Sequence, residues 1–183
     1  RRLTRGHPRM IAFDAVEEAR GGAARSSVAD VRRLLIANYD RGFNIVFRPK
    51  IAHAPAALSD LSEVLLGVAR AGRGRHNVML YAEELALSFP DKMLPRGQLG
   101  FSEICMIGRH YNVSVVGVAQ RIAQVSNIFT GNLDELYVFR PAEEADKQRA
   151  RALLGREYDV AIRELLNRDY LHRDHTIGRV THH

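Results

Sequence analysis

The stretch that most constrains the fold is a short apolar run that ends in two adjacent carboxylates. Residues 78–82 have the sequence VMLYA, and Glu83 and Glu84 follow directly. A run this short, without polar alternation, predicts a strand that is buried on both faces of a parallel sheet. Open sheets of this kind bind ligands at their carboxyl edge. Two acids at this edge favour a site in which one carboxylate holds a hydrated Mg²⁺ and the other orients or deprotonates an attacking water. This is the chemistry of a nucleoside triphosphatase.

The order of the remaining elements predicts an α/β fold. Other short apolar runs predict strands at residues 10–13, 43–47, 113–118 and 134–140. Helical spacing of apolar residues predicts helices at residues 28–39, 55–70, 98–111, 122–129, 142–154 and 157–166. Strands that alternate with helices predict a three-layer, mostly parallel sheet.

The rest of the chain is predicted to be turns, loops and one hairpin. Residues 15–27 are expected to be a loop or a frayed helix, and residues 85–97 mostly loop. Residues 169–180 alternate around a polar turn and predict a small C-terminal β-hairpin. A chain of 183 residues, 46% of them hydrophobic, is expected to form a single domain spanning residues 1–183.

Composition limits the classes of function. The formal net charge of +6 comes mostly from arginine, which fits a polyanionic partner but equally a solvated basic surface. No apolar run approaches the roughly 20 residues that a membrane helix needs. The single cysteine, Cys105, is expected to pack in the core, and the histidines lack the spacing of a metal site. A reducing, cytoplasmic setting is therefore expected.

Polar residues also follow other predicted strands. Gln120 and Arg121 come after the strand at 113–118, Arg140 ends the strand at 134–140, and Asp14 ends the first strand. Because adjacent parallel strands end at the same edge, we expect Gln120 to converge with the carboxylate pair. Its amide would hold a water and sense a phosphate without titrating.

Structural interpretations of the same residues stay open. The carboxylate pair also fits the first turn of a helix, where the dipole favours acids. Gln120 also fits a residue that only satisfies backbone groups at a strand end, and Asp14 also fits a cap of the following turn.

The order of these motifs resembles a known family. An apolar strand ending in two acids is followed by a charged loop and helix, then GRHYNVSVVGVAQR, then a strand ending in VFR. This order resembles the HerA/FtsK-type P-loop ATPases, which include DNA-pumping motors and viral packaging ATPases, and it extends from RMIAFD to the C-terminal hairpin. The resemblance implies a RecA-like core that binds ATP and Mg²⁺.

The resemblance also implies roles for individual residues. Glu83 matches the Mg²⁺-linked acid of the Walker B strand, a position more often occupied by Asp, and Glu84 matches the catalytic glutamate. Gln120 matches the polar sensor of the next strand. Arg109 or Arg121 matches the arginine that acts across a subunit boundary.

Partners follow from the same resemblance. It implies a homo-oligomeric ring, most simply a hexamer, that translocates or packages double-stranded DNA without reading its sequence. Basic residues in the segment 88–98, Lys92 and Arg96, are the candidates for contact with the DNA backbone. The expected location is the cytoplasm of a bacterial or archaeal cell, with a viral gene as one possible origin.

One departure from the family pattern is large. The sequence contains no G-x-x-x-x-G-K-[ST] loop, and its glycine-rich stretches at residues 20–22 and 71–74 lack the Lys-Ser/Thr pair. In the family that loop would lie just before RRLTRGHPRM, so we expect a chain truncated just after the loop or one that has lost it. Either way, these 183 residues alone are expected to bind nucleotide weakly. The alternatives are a non-catalytic basic scaffold, for nucleic acid or a membrane-associated export machine, and an assembly ATPase of the filamentous-phage type.

Overall fold

The computed structural model describes residues 6–18 and 23–183, which divide into two compact units at residue 120. The first unit comprises residues up to Gln120 and the second begins at Arg121. Within the described ranges, no helix combines the length and apolarity needed to cross a bilayer.

A five-stranded, all-parallel sheet forms the centre of the first unit. Its strand order is β2-β3-β1-β4-β5. The strands are β1 Arg9–Phe13, β2 Ala23–Arg25, β3 Phe43–Phe47, β4 Val78–Ala82 and β5 Val113–Gly117. On the central strand, Ile11 pairs in register with Ile45 on one side and Leu80 on the other, and all three are buried. The mostly parallel α/β sheet that the sequence predicts is confirmed.

In the described part of this unit, the sheet is accompanied by the helices α1 Val28–Asn38, α2 Ala54–Ala71, α3 Leu85–Ser88 and α4 Gly100–Ile107. The apolar stripe predicted for α2 is buried, including Leu58, Leu61 and Leu65. Helix α4 approaches α2 closely at Gly100, whose N–H donates to Ser59 Oγ at 2.9 Å. A Cβ at Gly100 would lie 2.4 Å from the Ser59 carbonyl oxygen, so the contact requires glycine.

The second unit is built on an antiparallel sheet of three strands in the order β6-β7-β8. Its elements are α5 Asn127–Thr130, β6 Glu135–Phe139, α6 Glu144–Leu154, α7 Asp159–Glu164, β7 Tyr170–Asp174 and β8 Arg179–His182. A small apolar core, which includes Leu136, Val138, Leu154, Ile162 and Leu171, lies between the sheet and the helices. The predicted C-terminal hairpin is confirmed as β7 and β8, and β6 joins it through five registered pairs with β7.

One local prediction is wrong. Residues 23–25, expected to be loop or frayed helix, form β2 and pair with β3. Residues 85–97, expected to be mostly loop, contain the single turn of α3 at Leu85–Ser88. Both elements are short and have no apolar periodicity of their own, so their hydrogen-bonding partners decide their conformation.

Candidate functional site

The carboxyl ends of β3, β1, β4 and β5 lie together at one edge of the parallel sheet. The backbone ladder continues beyond the strands there, through Asp14 N to Phe47 O (2.9 Å), Glu83 N to Phe13 O (3.0 Å) and Val118 N to Ala82 O (2.9 Å). The residues that follow each strand are therefore held in fixed register with their neighbours. Of the polar residues that the sequence singles out, this edge carries Asp14, Glu83, Glu84 and Gln120.

Glu83 extends β4 and is oriented by a tyrosine of the same strand. The Tyr81 hydroxyl donates to Glu83 Oε1 at 2.7 Å. Residues two apart in a strand project to the same face, so this bond fixes the direction of the carboxylate. The Glu83 side chain is only partly buried, which leaves it accessible to a ligand at the edge.

Glu84 adopts a left-handed backbone conformation with φ 44° and ψ 55°. A non-glycine residue in this region costs on the order of 1 kcal/mol or more and is found preferentially at functional sites. Glu84 Oε1 accepts a long hydrogen bond, 3.4 Å, from the backbone N–H of Gln120. The ends of β4 and β5 thus bring Glu84 and Gln120 together, as the strand order predicts. Glu84 precedes the four-residue α3 and makes no side-chain cap there, so capping does not account for it.

Asp14 and Arg48 form an ion pair at the ends of β1 and β3. Asp14 is fully buried, and its Oδ2 accepts from Arg48 Nε at 3.1 Å. Its other oxygen accepts from the Glu18 N–H at 2.8 Å, which is the turn cap that the sequence offered as the structural interpretation. Arg48 was not among the residues that the sequence motifs indicated. The available signal was an arginine directly after the apolar strand at 43–47, which is the pattern that identified Gln120-Arg121.

Arg109 lies at the opposite edge of the sheet. It belongs to the 3₁₀ turn Gly108–Tyr111, which precedes β5, whereas Gln120 follows β5. At about 3.3 Å per residue, the five-residue strand places the two edges roughly 16 Å apart. Arg109 is exposed and forms no ion pair within the described part of the chain. It therefore does not join Glu83 and Glu84 within one subunit.

Arg121 and Arg140 lie in the second unit. Arg121 Nε donates to Asp146 Oδ2 at 2.6 Å, and the nearly buried Asp146 also accepts from the Ala123 N–H at 2.9 Å. Arg121 is thereby bound to α6 of its own unit. Arg140, expected at a strand end, directly follows β6 of the three-stranded sheet and donates to Asn167 Oδ1 at 3.3 Å.

The two candidate DNA-contacting residues follow α3. Lys92 is exposed, and the neighbouring Met93 is 97% exposed, so the segment projects from the surface. The backbone of Arg96 lies in the 3₁₀ turn Arg96–Gln98, but its side chain lies outside the described part of the structure.

Comparison with solved structures shows which known fold this is. The genome packaging NTPase B204 from Sulfolobus turreted icosahedral virus 2, in complex with AMPPCP, matches with a TM-score of 0.77 at 14% identity, covering 100% of this chain and 85% of that chain. Its complex with ATP-gammaS matches with a TM-score of 0.74 at 14% identity, covering 96% and 81%. The chain has the fold of a genome packaging ATPase.

A further match agrees with these two. B204, the DNA-packaging ATPase from Sulfolobus turreted icosahedral virus, matches with a TM-score of 0.72 at 14% identity, covering 96% of this chain and 82% of that chain. No protein-family model matches the sequence, and no curated protein matches it. The resemblance to HerA/FtsK-type P-loop ATPases that the sequence motifs indicate is confirmed at the level of the fold.

On this P-loop ATPase fold, the residues at the edge fit part of a Mg²⁺–ATP site. Carboxylate oxygens such as those of Glu83 suit Mg²⁺, which keeps several waters and takes its other ligands from substrate phosphates. Among the described residues, no three His, Cys, Asp or Glu side chains are grouped so as to hold a metal by themselves. The sequence supplies no lysine-containing phosphate loop, and its glycine pair at residues 21–22 lies outside the described residues. Glu83 and Glu84 supply carboxylates at this edge, and the described residues include no lysine-containing phosphate loop.

Cys105 does not offer an alternative nucleophile. Burial raises the pKa of its thiol to about 12, so the reactive thiolate is absent at neutral pH. This agrees with the core-packing role that its helical position predicts.

Proposed function

We propose that the protein is an ATP-hydrolysing motor subunit of a ring that translocates or packages DNA. The observation that carries the proposal is the meeting of Glu84 and Gln120 at the carboxyl edge of a sheet whose fold is that of a genome packaging ATPase. Residues 1–183 would act as one ATPase core. The proposed ATPase activity rests on the residues at the sheet edge and does not require the overall positive charge of the chain.

The roles follow from the position of each side chain. Bound Mg²⁺ would neutralise charge on the β- and γ-phosphates of ATP. Glu83, oriented by the Tyr81 hydroxyl, would hold the waters of that ion. Glu84 would accept a hydrogen bond from the attacking water and position it in line with the γ-phosphate. Gln120, adjacent to Glu84, would sense the phosphate through its uncharged amide.

A phosphate cradle would fit beside β5, at the edge that carries Glu84. Strand β5 pairs only with β4 in the described part of the chain, so its other edge is unpaired there. Its sequence VSVVG contains neither charge nor proline, the features that normally protect an exposed edge strand. A parallel strand added beside β5 would deliver the loop that follows it to the same edge as Glu84.

The trans-acting arginine is assigned to Arg109. Arg121 is already engaged by the buried Asp146, and removing it would leave that carboxylate uncompensated. Arg109 is exposed at the opposite edge of the sheet, where it would reach the site of a neighbouring subunit in a ring, which we propose is a hexamer. Lys92 and Arg96 would contact the DNA backbone without reading bases.

The test uses the protein produced from its complete gene. Glu84→Gln keeps the size of the side chain but removes the carboxylate, so ATP turnover should fall at least about 100-fold while Mg²⁺–ATP binding is retained. The matched control is Glu164→Gln at the end of α7, an exposed acid outside the site, which should keep wild-type turnover. Unchanged turnover in Glu84→Gln would remove Glu84 from the mechanism.

The second candidate function is a non-catalytic basic scaffold, and the absence of a phosphate-loop motif favours it. A filamentous-phage-type assembly ATPase shares much of the same motif order and would behave as an enzyme. Titration of the 183-residue chain with Mg²⁺–ATP should show weak binding under either hypothesis, and tight binding would contradict the expectation drawn from the missing loop. ATP turnover by the protein produced from its complete gene would support an ATPase, and its absence would support the scaffold.

A further inference from the structure

The amino edge of the parallel sheet, opposite the carboxylate pair, carries a concentration of positive charge. Four segments lead into β1, β3, β4 and β5 at this edge: residues 7–9, 40–42, 70–76 and 109–112. Together they contain one carboxylate, that of Asp40, and six arginines: Arg9, Arg41, Arg70, Arg73, Arg75 and Arg109. We call these four segments the basic edge.

The segments of the basic edge are bonded to one another. The Arg9 guanidinium donates to the backbone carbonyl oxygen of Asp40 at 2.9 Å. The Asp40 carboxylate in turn lies 3.0 Å from His76 Nε2. Asn112 Nδ2 donates to the carbonyl oxygen of Gly74 at 3.2 Å. The positive charges therefore belong to one continuous surface.

Acidic residues neutralise only part of this charge. The single carboxylate of the basic edge lies 3.5 Å from Arg75, and Arg70 is paired with Glu103 of α4 at 2.7 Å. Arg41 and Arg73 are exposed and form no ion pair within the described ranges. Both guanidinium groups are thus available to an anionic partner.

The basic edge is wide enough for two partners. Arg109, assigned above to the ATP site of a neighbouring subunit, precedes β5, whereas Arg41 precedes β3. In the order β3-β1-β4-β5, three strand spacings of about 4.8 Å place the starts of β3 and β5 about 14 Å apart. The part of the edge near β3 and β4 therefore does not depend on the role of Arg109.

The composition of this part favours a polyanion over a protein partner. Protein interfaces normally have aromatic or aliphatic anchors at their centre and few charges there. Within the described structure, residues 40–42 and 70–76 include no exposed large hydrophobic side chain. A polyanion requires only exposed cations, and duplex DNA presents one negative charge per about 1.7 Å of its axis.

We propose that the basic edge binds the phosphate backbone of duplex DNA, with Arg41 and Arg73 as the contacting residues. Contacts to phosphates hold a protein on the duplex without reading its bases. The proposal rests on DNA being the partner, as proposed above, but not on ATP hydrolysis. It adds a second contact to the one proposed for the segment of Lys92, which follows the carboxyl end of β4 and α3.

The test is fluorescence anisotropy of a labelled duplex of about 30 base pairs and mixed sequence, titrated without ATP at several salt concentrations. It uses the protein produced from its complete gene. Arg41→Gln and Arg73→Gln each remove one cation and keep a long polar side chain. Each should weaken binding about eightfold near 0.1 M salt and reduce the slope of log affinity against log salt by about 0.9. The double variant should lose about 1.8 of that slope.

Arg32→Gln is the matched control, because it makes the same change in charge on the same unit. Arg32 is exposed on α1 and has no ion pair in the described part of the chain. About 9 Å of helix separate it from the end of α1, which is close to one Debye length at 0.1 M salt. The slope should therefore equal that of the wild type.

Wild-type affinity and slope in the double variant would overturn the proposal, as would the absence of duplex binding by the wild type. Sedimentation of the same samples tests a competing partner. If the variants dissociate a self-associated protein and the monomer binds duplex with unchanged affinity, the basic edge contacts a second copy of the chain and the proposal is wrong. A wild type that binds duplex but does not hydrolyse ATP would contradict the ATPase proposal and leave this one standing.

Discussion

At the scale of single residues, Glu84 shows a conflict between local conformation and position. Its left-handed torsions suit glycine, yet a glutamate is placed where its carboxylate meets the end of β5. Strain of this kind persists only where surrounding structure imposes it. Here the imposed contacts are the Leu85 N–H donating to Val118 O at 2.7 Å and the Val118 N–H donating to Ala82 O at 2.9 Å.

This conflict predicts a trade-off between stability and activity at Glu84. Glu84→Gly should relieve the strain and raise the free energy of unfolding by up to about 1 kcal/mol, despite the added freedom of the unfolded chain. Glu84→Ala is the matched control, because it removes the same carboxylate but keeps a Cβ in the left-handed region. Chemical denaturation of the two variants gives the comparison, and equal stabilities would show that the torsions store no strain. Both variants should lose ATP turnover in the complete gene product.

At the scale of secondary structure, apolar runs were sufficient to predict the five-residue strands of the parallel sheet. The runs at residues 43–47 and 78–82 coincide with β3 and β4, because a short uninterrupted apolar run bounded by polar residues is typical of a strand in a parallel sheet. Consecutive strands of a parallel sheet are usually neighbours, so β4 and β5 are expected to lie side by side. For this reason the sequence alone predicts that Glu84 lies beside Gln120.

Features that depend on long-range partners could not be predicted in this way. Strand β2 consists of three residues whose pairing with β3 is the reason for their extended conformation. The pair Asp14–Arg48 joins residues 34 positions apart, and nothing in the local sequence specifies the distance between them. The membership of β6 in a separate antiparallel sheet is likewise decided by its pairing with β7, and this pairing places Arg140 in the second unit.

The β7–β8 hairpin should make stability depend on pH. Burial, followed by the charge of Arg173, lowers the pKa of His175 from its ordinary value of 6.5, with Asp134 and Asp174 opposing the shift. The unfolded chain therefore binds a proton at a higher pH than the folded chain does, and stability must rise with pH through this range. Denaturation midpoints should fall as the pH is lowered from 7.5 to 5.

His175→Gln should flatten that dependence, since the glutamine does not titrate. The pKa of Asp174 is also lowered, first by its hydrogen bond from Thr176. This carboxylate changes stability only near and below pH 3.8, which is outside the range from pH 7.5 to 5. If the stability of His175→Gln depends on pH as steeply as that of the wild type, groups other than His175 cause the dependence.

At the scale of the whole molecule, charge is segregated along the sequence. The formal excess of +6 lies entirely in residues 1–120, because residues 121–183 are balanced. Duplex DNA is attracted by such an excess through release of counterions, with little regard for sequence. An electrostatic surface for duplex DNA is therefore expected in the first unit, and the balanced second unit is expected to attract the duplex much less.

Charge reversal at two lysines distinguishes these surfaces. Lys92→Glu, in the exposed segment after α3, should weaken duplex binding and reduce the slope of log affinity against log salt by about 0.9 for each phosphate that the lysine no longer neutralises. Lys147→Glu on α6 makes the same change in net charge within the balanced unit, where the lysine lies 4.0 Å from Glu144, and should alter duplex binding much less. Equal reductions in affinity for the two variants would mean that only net charge matters and that Lys92 does not touch the duplex. A selective reduction with Lys92→Glu would place the duplex on the first unit, as the segregation of charge predicts.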